Sequence, residues 1–217
     1  MPNMEGMTFF QKIAAYLQNG PKVSGLIPLG TILFTPIFGR LVDKKGKAAS
    51  LMILGSLLLI YAHITLSVLN SVVLGYTGLF ALGIAFSLVP AAMWPSVAKI
   101  VAENRLGTAY ATMFTIQNYG LSAFYWGIGS VLDLTNKKAV AAIQAARQGL
   151  IDQGLPLAEV GDKIESMKAA GELPTYNYLI PILMLVVLGV ISIFLAFKLK
   201  QADRRQKYGL EEPSEKH

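Results

Sequence analysis

Three long stretches of this chain contain no aspartate, glutamate, lysine or arginine: residues 48–98, 106–132 and 173–197. Each stretch holds at least one run of about 20 mostly apolar residues, the length that an α-helix needs to cross the hydrocarbon core of a bilayer. Only 15% of the 217 residues are charged, whereas a soluble domain usually carries about 25%. The sequence therefore predicts an all-α membrane protein.

This charge pattern predicts five membrane spans, at about residues 23–39, 48–69, 72–97, 106–132 and 174–197. The loops at 40–47 and 99–105 and the region after 198 are rich in lysine and arginine. Short basic loops stay on the cytoplasmic side, which puts these three regions in the cytoplasm and the N-terminus on the opposite side. The same bias explains the net charge of +6, so nucleic acid is not expected as a partner.

The predicted domain organisation has one helical bundle with a short segment at each end. Residues 1–21 form an amphipathic N-terminal segment, 22–199 form the transmembrane bundle, and 200–217 form a cytoplasmic tail. Residues 133–173 of the bundle region are a hydrophilic, non-cytoplasmic insertion. Apolar periodicity predicts two short amphipathic helices in the insertion, at Ala139–Leu150 and Leu157–Ala169.

Candidate catalytic and metal-ligating residues are scarce within the spans. The chain has two histidines, His63 and His217, and no cysteine. No intramembrane carboxylate accompanies His63, so a hydrogen bond to a neighbouring helix is the better interpretation of this residue. The sequence also has no nucleophile motif and no phosphate-binding loop. We therefore expect neither an enzyme, nor a metal site, nor a cofactor.

A polar stripe follows span four, where residues spaced by three or four positions share one helix face. It comprises Thr108, Thr112, Thr115, Tyr119, Ser122 and Trp126, with Asn118 beside it. Two interpretations stay open: the hydroxyls bond back to helix carbonyls, which is purely structural, or the stripe lines a water-filled path. Span one has a similar face with Thr31 and Thr35, and span three has one with Ser87 and Trp94.

The loop between spans one and two has the pattern Gly-x-Leu-x-Asp-x-x-Gly-Lys over residues 39–47. It resembles the signature loop of the major facilitator superfamily, which joins the second and third helices of each six-helix half. The resemblance implies that Gly39 allows a neighbouring helix to approach, that Asp43 faces a helix dipole or a basic side chain, and that Gly46 permits the turn. The signature or gating residues are then Gly39, Arg40, Asp43, Lys44, Gly46 and Lys47.

Further strings at 27–30, 34–39, 89–97 and 105–110 are similar to one branch of that superfamily. This branch is the domain-containing protein 1 type, whose animal members are lysosomal dipeptide transporters. In this resemblance the five spans correspond to helices eight to twelve of a transporter. The chain is therefore expected to be a C-terminal fragment, with helix seven and the N-terminal half missing.

The resemblance implies a secondary active or facilitative transporter of small solutes that works by alternating access, with dipeptides as the substrate. Its partners would be the lipid bilayer, the small-molecule substrate and the missing N-terminal half. The membrane would be lysosomal in an animal and the plasma (inner) membrane in a bacterium. Candidate substrate-path residues are Thr31, Thr35, Ser87, Trp94, Thr112, Thr115, Asn118 and Tyr119. The alternative is a non-transporting membrane scaffold or accessory subunit.

Overall fold

The structure, a computed structural model, describes Thr8 and residues 26–69 and 72–213, and almost all of these residues are helical. This part of the chain forms seven α-helices and one 3-10 helix and contains no strand. The predicted all-α fold class is therefore confirmed. The amphipathic segment predicted at 1–21 lies outside the described residues apart from Thr8.

The helices are, in chain order, α1 (Leu26–Lys45), α2 (Ala48–Ser67), α3 (Val72–Ile100), the 3-10 helix (Glu103–Arg105), α4 (Leu106–Thr135), α5 (Lys137–Asp152), α6 (Leu157–Ala169) and α7 (Leu179–Gln206). Both predicted helices of the insertion are present. α6 has the predicted bounds, and α5 extends two residues further at each end.

Helices α1, α2, α3, α4 and α7 lie at the five predicted spans. Three of these helical segments are long and apolar enough to cross a membrane: Ala48–Ser67, Val73–Ile100 and Leu179–Gln206. They confirm the membrane class, whereas the number of five spans stays a prediction because α1 and α4 carry more polar side chains. α7 also continues past the predicted end of its span to Gln206, since lysine, glutamine, alanine and arginine are good helix formers in water.

The described residues divide into two compact units, one made of residues up to Met113 together with Leu185 onwards, and one made of Phe114–Met184. In the first unit α3 packs against both α1 and α2. α3 and α2 approach closely at a small residue, Gly78. A Cβ added to Gly78 would lie only 2.2 Å from Thr65 Oγ1. Such small-residue contacts are typical of helix packing in lipid.

Buried side chains in the first unit join four helices. One cluster comprises Val42, Ala48, Met52, Ala92 and Ala196, from α1, α2, α3 and α7. The hydroxyl oxygens of Ser56 and Ser192 lie 2.7 Å apart and add a polar link between α2 and α7. Because Val42 belongs to the signature pattern, this cluster anchors the end of α1 that carries the pattern.

The second unit contains most of α4, the α5–α6 hairpin and the start of α7. Val160 and Ile164 of α6 are buried, as is Ala139 of α5. The Asn136 side chain closes the base of the hairpin: its Nδ2 donates to Asn177 O (3.1 Å), and Asn177 N donates to its Oδ1 (2.7 Å). The two ends of the insertion are therefore held together by hydrogen bonds.

Candidate functional site

Most of the predicted signature loop is helical. α1 continues through Gly39 to Lys45, and only Gly46 and Lys47 separate it from α2. The loop prediction was therefore too long, because its basic residues end the apolar run without ending the helix. Gly46 has φ +67°, Lys47 has φ +63°, and Gly46 N donates to Val42 O at 2.8 Å. This left-handed turn favours glycine at its first position.

The close approach implied for Gly39 is absent among the described residues, since no atom there lies within 4 Å of a Cβ added at this position. The tight contact is at Gly46 instead. A Cβ on Gly46 would lie 2.4 Å from the carbonyl carbon of Glu212 and 2.6 Å from Glu211 O. That Gly39 allows a neighbouring helix to approach stays a prediction, because its face of α1 is open among the described residues, whereas Gly46 meets Glu211 and Glu212.

The charged residues of the signature pattern have different environments. Arg40, Lys44 and Lys47 are exposed, whereas Asp43 is half-buried. Asp43 lines a cleft of about 470 Å³ together with Lys99 of α3 and residues that follow α7. That Asp43 faces a helix dipole or a basic side chain stays a prediction, and Lys99 is a basic residue of the same cleft.

The segment that follows α7 was predicted only as part of a cytoplasmic tail, and its packing was not expected. We call Lys207–Pro213 the C-terminal clasp. Its backbone accepts hydrogen bonds from the start of α2, with Lys47 N 3.2 Å from Glu211 O and Ala48 N 3.0 Å from Leu210 O. The Glu211 carboxylate accepts from Ser50 N (2.9 Å) and Ser50 Oγ (2.6 Å). In the sequence, the acidic residues Glu211 and Glu212 are the hint of a contact with the basic loop.

Side chains from two other helices hold the clasp in place. Lys99 Nζ donates to Gly209 O at 2.9 Å and to Glu212 O at 2.7 Å. Asp203 of α7 is buried, and its Oδ1 accepts from Leu210 N at 3.0 Å. The Leu210 side chain is itself fully buried. The clasp is thus packed against the ends of α1, α2, α3 and α7.

Glu211 is the charged centre of this contact. Lys200 Nζ lies 3.4 Å from Glu211 Oε2 and also donates a hydrogen bond to Ser50 Oγ. Burial raises the pKa of the Glu211 carboxyl, but the hydrogen bonds from Ser50 and the charge of Lys200 outweigh burial and leave this pKa below its ordinary value. The carboxylate form is therefore favoured.

Two predicted path residues meet where α1 and α3 cross. Ser87 of α3 is fully buried, and its hydroxyl lies 3.0 Å from Gly83 O, 3.5 Å from Gly30 O and 3.4 Å from Thr31 O. Thr31 donates to Ile27 O at 3.0 Å. Nearby in sequence, Thr35 donates to Thr31 O at 2.6 Å. Hydroxyls on these faces therefore bond to helix carbonyls, which is the structural role considered for the stripe on span four.

Trp94 lies at the cytoplasmic half of α3 in the predicted topology. Its ring lies 5.8 Å from the ring of Tyr110 at the start of α4. The Tyr110 hydroxyl also donates to Trp94 O at 3.0 Å. This pair of contacts attaches the first turns of α4 to α3.

The remaining path candidates share α4 and are exposed. Thr112 donates to Thr108 O at 2.8 Å, and Asn118 Nδ2 donates to Phe114 O at 2.8 Å. Thr115 is exposed, and Tyr119 is 73% exposed. The polar stripe is therefore exposed in the described part of the chain.

His63 bonds within its own helix. Its Nδ1 lies 2.6 Å from Leu59 O of α2, whereas a partner on a neighbouring helix was expected. In the described residues, no group of three or more histidine, cysteine or acidic side chains is placed to hold a metal ion.

The three apolar helices, together with the packed turn between α1 and α2, define a multi-pass all-α membrane protein. Comparison with known proteins adds similarity to membrane transporters. The chain is 33% identical over 127 residues to lysosomal dipeptide transporter MFSD1 of Gallus gallus, a match that covers 58% of this chain and 28% of the relative.

The mammalian proteins of the same name give similar values. The mouse protein (Mus musculus) is 32% identical over 131 residues, and the human protein (Homo sapiens) is 30% identical over 135 residues. The matches cover 58% and 59% of this chain and 26% and 27% of those relatives. The predicted resemblance to this transporter branch is therefore confirmed, over about a quarter of the relatives' length. No family model matches the chain, and no solved structure matches it.

Proposed function

We propose that this chain is part of a secondary transporter that moves dipeptides or similar small solutes across its membrane by alternating access. The observation that carries this proposal is the similarity, over 58% of the chain, to lysosomal dipeptide transporters. In an animal the membrane would be lysosomal.

Alternating access needs two bundles that move against each other around a site near the middle of the membrane. We propose that this chain supplies most of one bundle and that a complementary half supplies the other. Two observations support this arrangement: the match covers 28% of the chicken relative's length, and the polar stripe of α4 is exposed. In this arrangement Thr112, Thr115 and Tyr119 face the path, and the role of Ser87 is to hold α1 against α3.

The mass of the native protein shows whether the complementary half is part of the same polypeptide or a separate chain. An antibody against residues 201–217 should detect a band of about twice 23.5 kDa in native membranes if both halves are on one polypeptide. A band near 23.5 kDa places the other half on a separate chain, which the same antibody should then co-purify.

Uptake of a labelled dipeptide into proteoliposomes tests the proposal directly. The assay uses the native assembly, with uptake of the free amino acids as the comparison. The double variant Thr115→Leu/Tyr119→Leu should lose uptake and still accumulate as folded protein. Gln117→Leu is the matched control, because Gln117 is exposed on roughly the opposite face of the same helix.

Uptake that is unchanged in the double variant would contradict the placement of the path on α4. A native assembly that is folded, takes up neither dipeptides nor amino acids, and still binds a partner chain would contradict transport itself. That result would favour the scaffold function, which needs the exposed helix faces but no path.

A further inference from the structure

We propose that the C-terminal clasp is the N-terminal cap of α2, and that Glu211 is a positioning residue that holds the turn between α1 and α2 in place. Glu211 acts through the backbone of this turn and does not contact substrate. The proposal goes beyond the proposed function and does not depend on transport.

The start of α2 lacks a cap of its own. The first backbone N–H groups of any helix have no partner within the helix and need an acceptor from elsewhere. Serine, threonine, aspartate or asparagine usually supplies it from the N-cap position. Lys47 occupies that position in α2, and its side chain makes no capping hydrogen bond. Burial increases the need for an acceptor, since Ala48 and Ala49 are buried.

The clasp supplies the missing acceptors from a distant part of the sequence. Leu210 O accepts from Ala48 N, Glu211 O accepts from Lys47 N, and the Glu211 carboxylate accepts from Ser50 N. A carboxylate is favoured at this place because the N-terminus of a helix carries a partial positive charge. The basic side chain of Lys200 adds to that preference.

The fit between clasp and turn is tight enough to fix the backbone. Gly46 leaves no room for a Cβ beside Glu212, and the side chains of Leu210 in the clasp and Val42 in α1 are both fully buried. Lys99 and Asp203 fix the clasp from α3 and α7. The turn is therefore held by residues more than 150 positions away, and loss of Glu211 should release it locally.

Amide hydrogen exchange of the full protein in lipid nanodiscs tests the proposal. In Glu211→Ala, exchange at Lys47–Ser50 should accelerate about tenfold, the effect of losing one hydrogen bond to a charged group. Glu212→Ala is the matched control, because it removes the same charge at the next position, where the side chain is exposed. Exchange in the middle of α2 should stay at the native rate in both variants.

Conservative variants separate positioning from general packing. Glu211→Gln keeps an acceptor for Ser50 N but loses the charge, so its exchange rate should lie between that of the native protein and that of Glu211→Ala. Glu211→Asp is shorter by one methylene and should exchange like Glu211→Ala. These two variants also serve if Glu211→Ala does not fold. Native protection in Glu211→Ala or Glu211→Asp, or equal acceleration in Glu212→Ala, would overturn the proposal.

Discussion

The contact between Gly46 and the clasp makes a quantitative prediction for Gly46→Ala. Two costs act together at this position. An alanine at φ +67° adopts a left-handed conformation that costs an L-residue about 1–2 kcal/mol. Its Cβ would also lie 2.4 Å from the carbonyl carbon of Glu212, whereas carbon atoms in good contact are about 3.5 Å apart.

The second cost follows from the distance by which the clasp must move. A retreat of about 1 Å would break the 3.2 Å hydrogen bond from Lys47 N to Glu211 O and the 3.0 Å bond from Ala48 N to Leu210 O. Each such bond stabilises a protein by about 1 kcal/mol. Gly46→Ala should therefore lower the free energy of unfolding by about 3–4 kcal/mol.

Gly154→Ala is the control that separates the two costs. Gly154 has φ +85°, and among the described residues no atom apart from its chain neighbours lies within 4 Å of a Cβ added there. Gly154→Ala should therefore lower the free energy of unfolding only by the cost of the left-handed conformation, about 1–2 kcal/mol. Denaturant unfolding of both variants in mild detergent, followed by tryptophan fluorescence, gives the difference. Equal losses of stability in the two variants would refute the close contact between Gly46 and the clasp.

Three other predictions concern charged and amide side chains. Asp43→Ala should slow switching between transporter states more than it weakens substrate binding, as counterflow and binding assays would show; weaker binding at an unchanged exchange rate would contradict the placement of Asp43. Because the folded-state pKa of Glu211 is lowered, its contribution is present above the unfolded value of about 4.5 and is lost as pH falls through the lower folded value. Hydrogen exchange at the start of α2 should therefore be constant from pH 7 to 5, after correction for intrinsic rates. A loss of protection within this pH range would show that a group other than the Glu211 carboxylate is responsible. Asn136→Ala removes both bonds to Asn177 and should weaken the base of the insertion by about 2 kcal/mol, seen as faster proteolysis there; a native cleavage rate would contradict the closure.

The sequence predicted the helices well where their periodicity was uninterrupted. Leu157–Ala169 has the predicted bounds because its apolar positions recur at helical spacing and Gly154 and Pro156 precede it. The ends of α1 and α7 were less predictable. Lysine and arginine mark where a helix leaves the lipid, but they do not end its hydrogen bonding, so both helices continue into the charged regions.

The clasp could not be predicted for a different physical reason. Two of its hydrogen bonds with the start of α2 use backbone carbonyls, which leave no trace in the choice of side chains. The residues that meet, Ser50 and Glu211, are 161 positions apart, and a seven-residue segment is too short to show a period. The candidate path residues on α4 were recognisable as one face, because periodicity fixes a face; it does not fix what covers that face.

The signature pattern contains two groups of residues with different tasks. Val42 and Gly46 are buried against the core and the clasp, so substitutions there should act mainly on stability. Arg40 and Lys44 are exposed on the same stretch, so substitutions there leave the packing of this unit intact and should act only through a partner surface. Asp43 is half-buried and so lies between the buried group and the exposed group. Because the turn at Gly46 and Lys47 is held within its own unit by the clasp, we expect it to keep its shape while a second bundle moves against it, as the rigid-body motion of alternating access would require.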